Sequence, residues 1–171
     1  MSAQAPILFG KFVVTSQVFY KTKWSFGLVN IRPIVPGHVL VCPRRVVSRI
    51  SQMTEEEAID FYSSVQKVAR VVETHYKADS LNIAIQDGPL AGQTVPHVHC
   101  HIIPRRLNDL PNVDDIYKKL NGKEGDLEYV FSVLKANANG DKAFQSPDDT
   151  RGGPRTLEVM QDEAQMLSKL F

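Results

Sequence analysis

The sequence predicts an α+β fold, a five-stranded antiparallel sheet with one long amphipathic helix and a second helix at its C-terminal end. Three observations carry this. Residues 9–42 hold short apolar runs, each ended by Pro, Gly or Asn, without a helical period. A helix-start signal at Thr54 opens a long stretch of helical periodicity. Two more alternating runs follow, and the second contains His97-Val98-His99-Cys100-His101.

The elements follow in chain order. Residues 1–6 read as a frayed end. Residues 9–19 alternate loosely (Phe12, Val14, then Val18 and Phe19) and predict a strand or a bent hairpin. Residues 25–30 predict a second strand. Arg32-Pro33 and Pro36-Gly37 mark a turn, and residues 38–42 a third strand that Pro43 ends. In Thr54-Glu55-Glu56-Glu57 the hydroxyl can accept from the Glu57 N–H while Glu57 reaches back, and acidic residues suit a helix N-terminus. Ala58, Phe61, Tyr62, Val65, Val68, Ala69 and Val72 then recur at helical spacing, which predicts a helix over about residues 54–77. Leu81, Ile83 and Ile85 alternate with polar or small residues and predict a fourth strand. Residues 87–96 form a loop rich in Gly and Pro, and 97–103 a fifth strand closed by Pro104. Residues 114–120 suggest a short helix. Residues 121–153, with repeated Gly, Asn and Pro, read as a flexible insertion with one helical turn near 129–134. The last stretch is helical again, with Leu157, Met160, Ala164, Leu167 and Leu170 on one face. The organisation is thus a domain over 7–120, the insertion over 121–153, and a helix over 154–171 that packs back on the domain.

The 171 residues fit one domain, and 43% hydrophobic content can build a core. A formal charge of +1 argues against a protein that coats nucleic acid or a basic membrane patch. No stretch has the apolar length of a membrane span, and residues 1–6 do not read as a signal peptide. Cys42 and Cys100 both lie in apolar runs and read as reduced, buried thiols, which suits a cytoplasmic or nuclear location. Arg44-Arg45 and Arg105-Arg106 read as solvated. His75, near a helix C-terminus, suits the helix dipole and is given no function.

Three of the five histidines stand at alternate positions. A strand has a side-chain period of two, so His97, His99 and His101 would line one face, with Val98, Cys100 and Ile102 turned to the core. One reading is structural. A second is a metal site, since alternate histidines on a strand can hold zinc, but no carboxylate ligand or second cysteine motif stands nearby. The third is nucleophilic attack on phosphorus: a neutral imidazole attacks well when one nitrogen is free and the other is held as N–H. The middle residue, His99, is then the nucleophile, and its neighbours stabilise charge or assist the leaving oxygen. The third reading best accounts for three alternating imidazoles.

The run His97-Val98-His99-Cys100-His101-Ile102-Ile103 resembles the signature of the histidine triad family, His-φ-His-φ-His-φ-φ with φ apolar. Gln86-Asp87-Gly88-Pro89, Ala91-Gly92-Gln93-Thr94-Val95, Pro104-Arg105 and Val35-Pro36-Gly37-His38-Val39-Leu40-Val41 are similar to its fragile histidine triad branch. The resemblance spans about residues 7–120. Residues 121–153 are similar to the variable loop of fungal relatives. The resemblance implies a homodimer with sheets joined edge to edge, and hydrolysis of diadenosine tri- or tetraphosphate to AMP plus ADP or ATP. It implies that His99 attacks the α-phosphorus and forms a nucleotidyl-histidine. His101 would then lie by the phosphate and leaving oxygen, with His97 and His38 as a supporting relay. Asn30 would contact the ribose. Gln86, Gly92, Gln93, Thr94 and Val95 would meet the phosphates through amides, and Phe12, Leu28 and Phe9 are candidates for packing on the base. Tyr117 matches a tyrosine in a flexible loop near the substrate. No tightly bound cofactor and no protein-held metal are expected, though Mg²⁺ or Mn²⁺ can accompany the substrate. Two alternatives stay open: a nucleotide-binding signalling protein whose substrate complex is the output, and a nucleoside phosphoramidase.

Overall fold

A computed structural model of the chain describes residues 5–122, 125–138 and 155–171. Of the two readings for residues 9–19, a strand or a bent hairpin, the chain bends. Gly10, at φ +58°, reverses the chain between β1 (Leu8–Phe9) and β2 (Phe12–Val13), which pair Leu8 with Val13 and Phe9 with Phe12. A single 3₁₀ turn at Thr15–Gln17 then leads into β3 (Val18–Lys21), one of the two edges of the main sheet. β4 (Ser25–Val29) and β5 (Val39–Pro43) are buried at every position, because both faces of the sheet are covered there. Gly27 permits this: a Cβ there would fall 2.7 Å from the Phe19 ring.

The helix α1 (Glu55–His75) starts where the capping signal placed it. Thr54 Oγ1 accepts from the Glu57 N–H at 3.3 Å, and the Thr54 N–H donates to Glu57 Oε2 at 2.9 Å. Glu57 is buried beside the helix start, and Arg45 donates to both its oxygens at 2.8 and 2.7 Å. Phe61, Val65, Val68, Ala69 and Val72 form the buried stripe, and α1 packs against β4, β5 and β7.

β6 (Ser80–Ile85) and β7 (Cys100–Arg105) complete an antiparallel sheet of order β3-β4-β5-β7-β6. Two expectations about the last strand change. The ladder begins at Cys100 rather than at residue 97, because the Val98 N–H donates to the Val47 carbonyl at 2.7 Å and His97 to that of Val95 at 2.7 Å. And Pro104 does not close the strand. It pairs with Leu81, just past the last β5–β7 pair at Val39 and Ile102, so its missing N–H lies outside the β5–β7 ladder. Arg105 is not solvated either: it is buried, donates bidentately to Asp109 at 2.7 and 2.9 Å, and reaches Asn82 Oδ1 at 2.8 Å. Among the described residues Cys42 and Cys100 are free and buried. Cross-strand pairing puts Cys42 opposite Phe26 and Cys100 opposite Val41, on different faces of the sheet.

Helix α2 (Asp115–Asn121) matches its expectation. The next stretch differs. Helix α3 (Leu127–Ala138) takes up residues expected to hold one helical turn in a flexible insertion. Leu127, Val130 and Phe131 are buried, and the Phe131 ring stacks on Phe12 with centroids 5.0 Å apart. The hairpin offers α3 an apolar shelf that local composition does not reveal. The rest of the expected insertion, 139–153, lies outside the described residues. Helix α4 (Leu157–Ser168) is capped by Thr156 and packs Met160, Ala164 and Leu167 against the turn at Thr15–Gln17, β3 and β4.

Candidate active site

Four histidines gather where β7 begins, and the partners of each ring determine where its protons sit. His38 follows Gly37, whose φ of +88° and lack of a Cβ let Tyr76 and Pro104 press close: a Cβ there would lie 2.6 Å from Tyr76 Cδ2. The Ile34 N–H donates to His38 Nδ1 at 3.1 Å, so that nitrogen holds a lone pair and Nε2 carries the hydrogen. His38 Nε2 lies 2.9 Å from His101 Nδ1, which therefore accepts, leaving the His101 proton on Nε2. That Nε2 is buried and without a protein partner. A buried N–H left unsatisfied costs about 1–3 kcal/mol, so the position favours an incoming acceptor.

His99 is arranged in the opposite sense. Its Nδ1 lies 2.7 Å from the His97 carbonyl, an acceptor, so Nδ1 carries the hydrogen and Nε2 keeps its lone pair. The rings of His99 and His101 meet edge-on with centroids 5.1 Å apart. A free lone pair and a free N–H thus stand side by side. His97 serves neither end. Its Nδ1 accepts from the Gly10 N–H at 2.9 Å and its Nε2–H donates to the Pro43 carbonyl at 2.8 Å. Both nitrogens are spent on backbone, so His97 supports the site from behind and cannot ligate a metal without breaking these bonds. Among the described residues no three His, Cys, Asp or Glu side chains form a group able to hold a metal ion.

Phe9 is the apolar wall of the site, in edge contact with His99 at 5.2 Å and tilted over His97 at 5.6 Å. Asn30, just past β4, is buried, and its Oδ1 accepts from the Arg32 N–H at 2.9 Å, which turns its amide nitrogen toward His38 Nε2 at 3.1 Å, a packing contact between two donors in the tautomer the Ile34 N–H sets. The other residues marked in the sequence hold protein partners. Gln86 Nε2 donates to Asn121 Oδ1 at 2.9 Å, and Gln93 Nε2 to the Ser48 carbonyl at 2.8 Å. Thr94 Oγ1 accepts from the Leu127 N–H at 3.2 Å. Gly92 sits at φ +92° with Gln86 packed where a Cβ would go. Val95 is fully buried. Phe12 lies under Phe131, and Leu28 is fully buried, in line with Leu40 and His101 across the sheet. Sequence reasoning missed Arg155, which donates through Nε to the Asn30 carbonyl at 3.1 Å. It stands after a Gly- and Pro-rich stretch, 125 residues from Asn30, with no local signal of such a contact.

Burial holds the imidazoles neutral. His38 is lowered to about 3, chiefly by desolvation and then by the nearby Arg155 charge. His97 is lowered to about 4, again chiefly by desolvation. His99 is lowered by desolvation, partly offset by its bond to the His97 carbonyl, and His101 is pushed well below the usual range by desolvation and by His99 and His38. A neutral His99 is the form that can attack.

Residues 11–108 match the family model described as the HIT domain. The chain belongs to the histidine triad family. A bis(5'-nucleosyl)-tetraphosphatase [asymmetrical] of Schizosaccharomyces pombe is 46% identical, over 96% of this chain and 94% of that protein. A bifunctional bis(5'-adenosyl)-triphosphatase/adenylylsulfatase of Arabidopsis thaliana is 43% identical, over 91% of this chain and 78% of that protein. A diadenosine triphosphate hydrolase of Plasmodium falciparum, solved with cyclomarin A, superposes with a TM-score of 0.69 at 27% identity, covering 99% of this chain and 85% of that one. The C. elegans NitFhit protein superposes at 0.71 and 32% identity over all of this chain, which spans 31% of that longer protein.

The buried histidines of this histidine triad domain make its stability depend on pH. Unfolded histidine titrates near 6.5, whereas His38 and His97 in the fold titrate at about 3 and about 4. Below about pH 6.5 the unfolded chain binds protons that the folded chain refuses, so acid favours unfolding. Stability is therefore full above about pH 6.5 and falls as the pH drops, each such histidine adding up to about 1.4 kcal/mol per pH unit. Urea midpoints measured at pH 7 and pH 5 should fall clearly at pH 5. Equal midpoints would mean that these imidazoles are not buried as neutral groups.

Proposed function

We propose that this protein hydrolyses dinucleoside polyphosphates, diadenosine tri- or tetraphosphate, to AMP plus ADP or ATP, through a nucleotidyl group carried on His99. The observation that carries this reading is the paired polarity of the site. The His99 Nε2 lone pair and the unpartnered His101 Nε2–H stand on adjacent rings. The named activities of the relatives point the same way.

In the first step the Nε2 lone pair forms a bond to the α-phosphorus, and the bond from that phosphorus to the bridging oxygen breaks. Its electron pair leaves with the nucleoside di- or triphosphate. A polyphosphate leaves as a stable anion, so His101 need supply only a hydrogen bond to the departing or equatorial oxygen. The positive charge gained by the His99 ring is met at Nδ1–H by the His97 carbonyl, 2.7 Å away. In the second step water attacks phosphorus, the N–P bond breaks, its electron pair returns to His99, and AMP departs with the water oxygen while a water proton is released to solvent. His38 holds the His101 tautomer throughout by donating to Nδ1.

Asn30, Gln86, Gly92, Gln93, Thr94 and Val95 are read as the substrate contacts around this pair, with Phe12 and Leu28 beneath the base. Gln86, Gln93 and Thr94 would exchange their present protein partners for phosphate oxygens. Any Mg²⁺ or Mn²⁺ would arrive on the polyphosphate. The exposed edge strand β6, with Ile83 half exposed, supports a homodimer formed by edge pairing. Among the described residues no helix is long and apolar enough to cross a membrane, and two buried free thiols support a cytoplasmic or nuclear location.

The test is a rapidly quenched reaction with diadenosine triphosphate, followed by mass spectrometry of the intact protein and its peptides. We expect one adenylyl group on the peptide carrying His99, and AMP and ADP as products. An adduct on another residue, or turnover with no adduct at any quench time, would count against the covalent route.

A further inference from the structure

We propose that Arg155, at the start of the C-terminal helix, is a positioning residue that holds Asn30 and the His38–His101 pair in register from behind the sheet. The proposal rests on the reading of Asn30 and His101 as substrate-facing groups. Its starting point is where the guanidinium goes. Nε donates to the Asn30 carbonyl at 3.1 Å and Nη2 donates to the same oxygen, while the Arg155 N–H donates to the Ile31 carbonyl at 3.0 Å. One residue therefore grips two successive peptides at the point where β4 ends and the site begins. Asn30 is almost wholly buried, and its side chain touches His38. A shift of its peptide must be felt by the ring that sets the His101 tautomer.

The guanidinium is itself held. Nη2 lies 2.5 Å from Glu163 Oε2, and the Tyr76 hydroxyl donates to Glu163 Oε1 at 3.0 Å. Tyr76 in turn packs against Gly37, the residue before His38. The contacts thus form a closed circuit: Arg155 to Asn30, Asn30 to His38, Gly37 to Tyr76, Tyr76 to Glu163, and Glu163 back to Arg155. Arg155 and Glu163 both belong to the C-terminal segment, so their pair orients the guanidinium and by itself ties nothing to the sheet. The grip on the Asn30 carbonyl and the Tyr76 contact beside His38 direct the circuit at the site. Lysine cannot reproduce the fork, because it offers one compact ammonium where arginine offers several fixed N–H groups.

The experiment compares wild type with Arg155→Met, Arg155→Lys and Glu163→Gln, at a temperature well below the melting point of every variant. In R155M we expect kcat/KM for diadenosine triphosphate to fall about tenfold, mostly through KM, the scale of a small misplacement of a contact. R155K should recover part of the loss and E163Q should lose less than R155M. The groups facing His38 are Arg155, His99, His101 and Asn30. Removing the one fixed positive charge among them should move the acid limb of kcat/KM to higher pH. In the substrate-free protein, ¹⁵N signals of the His38 and His101 rings should shift in R155M. That readout stands whether or not diadenosine triphosphate is the substrate, so it fails separately from the functional reading. Should R155M lower only the melting temperature, with ring signals, KM and pH profile unchanged, the positioning role is overturned and Arg155 is a fastener of α4.

Discussion

Replacing His99 with alanine should abolish turnover while leaving substrate binding. The proposed route begins at the His99 Nε2 lone pair, which the hydrogen bond from Nδ1 to the His97 carbonyl keeps free. Among the described residues no other ring in the cluster offers an equivalent. His97 uses both nitrogens on backbone, and His38 and His101 bond to each other. Loss of a nucleophile costs at least about 10⁴-fold in kcat, while the oxyanion donors and binding contacts persist. The dissociation constant for diadenosine triphosphate should therefore change little, by calorimetry or equilibrium dialysis, and no adenylyl adduct should form. His99 is buried, so a melting curve must accompany the rates. His99→Asn, which keeps a polar group of similar breadth, guards against a folding artefact. A variant that retained near-normal kcat would end the proposal, whatever its affinity.

Phe9→Ala should have the largest effect on stability. Phe9 is fully buried, and its ring lies against His97, His99 and Phe131 at once. Removing a buried phenyl ring typically costs about 3–5 kcal/mol, because the cavity collapses only in part. In a protein of this length that corresponds to a fall of about 6–20 °C in melting temperature. The same ring is the lateral support of the His99 imidazole, so kcat should fall below what the remaining folded fraction explains. Phe9→Leu should recover most of the stability and less of the rate. Equal recovery of both would show that Phe9 acts on the fold alone.

Much of the architecture was legible because it is written in local periodicity. The Thr54 capping box and the stripe from Phe61 to Val72 specify α1 to within a few residues, since a helix start and a buried face depend on neighbours three and four positions apart. β4, β5 and β6 were legible for a similar reason, as short apolar runs between turn residues. The histidine proposed as the nucleophile was picked out by the alternation of three histidines together with the surrounding motif. The first stretch was legible only as a choice between a strand and a bent hairpin, and the turn at Gly10 that decides for the bend was not marked. The helix α3 was not, because its weak pattern becomes stable only against Phe9 and Phe12 of the hairpin.

The division between histidines makes the same point at the site. Sequence alone determined the family resemblance and the strand-forming core, and it singled out the ring proposed to attack phosphorus, because each depends on residue type and spacing. Only the tertiary structure decided the tautomers and the supports. That His97 turns out of the ladder to bond Gly10 and Pro43, that Ile34 fixes the His38 proton, and that Arg155 grips Asn30 from a distant helix depend on contacts between segments far apart in the chain. A proton goes to whichever acceptor the fold places within reach, and that placement is a property of the packed molecule.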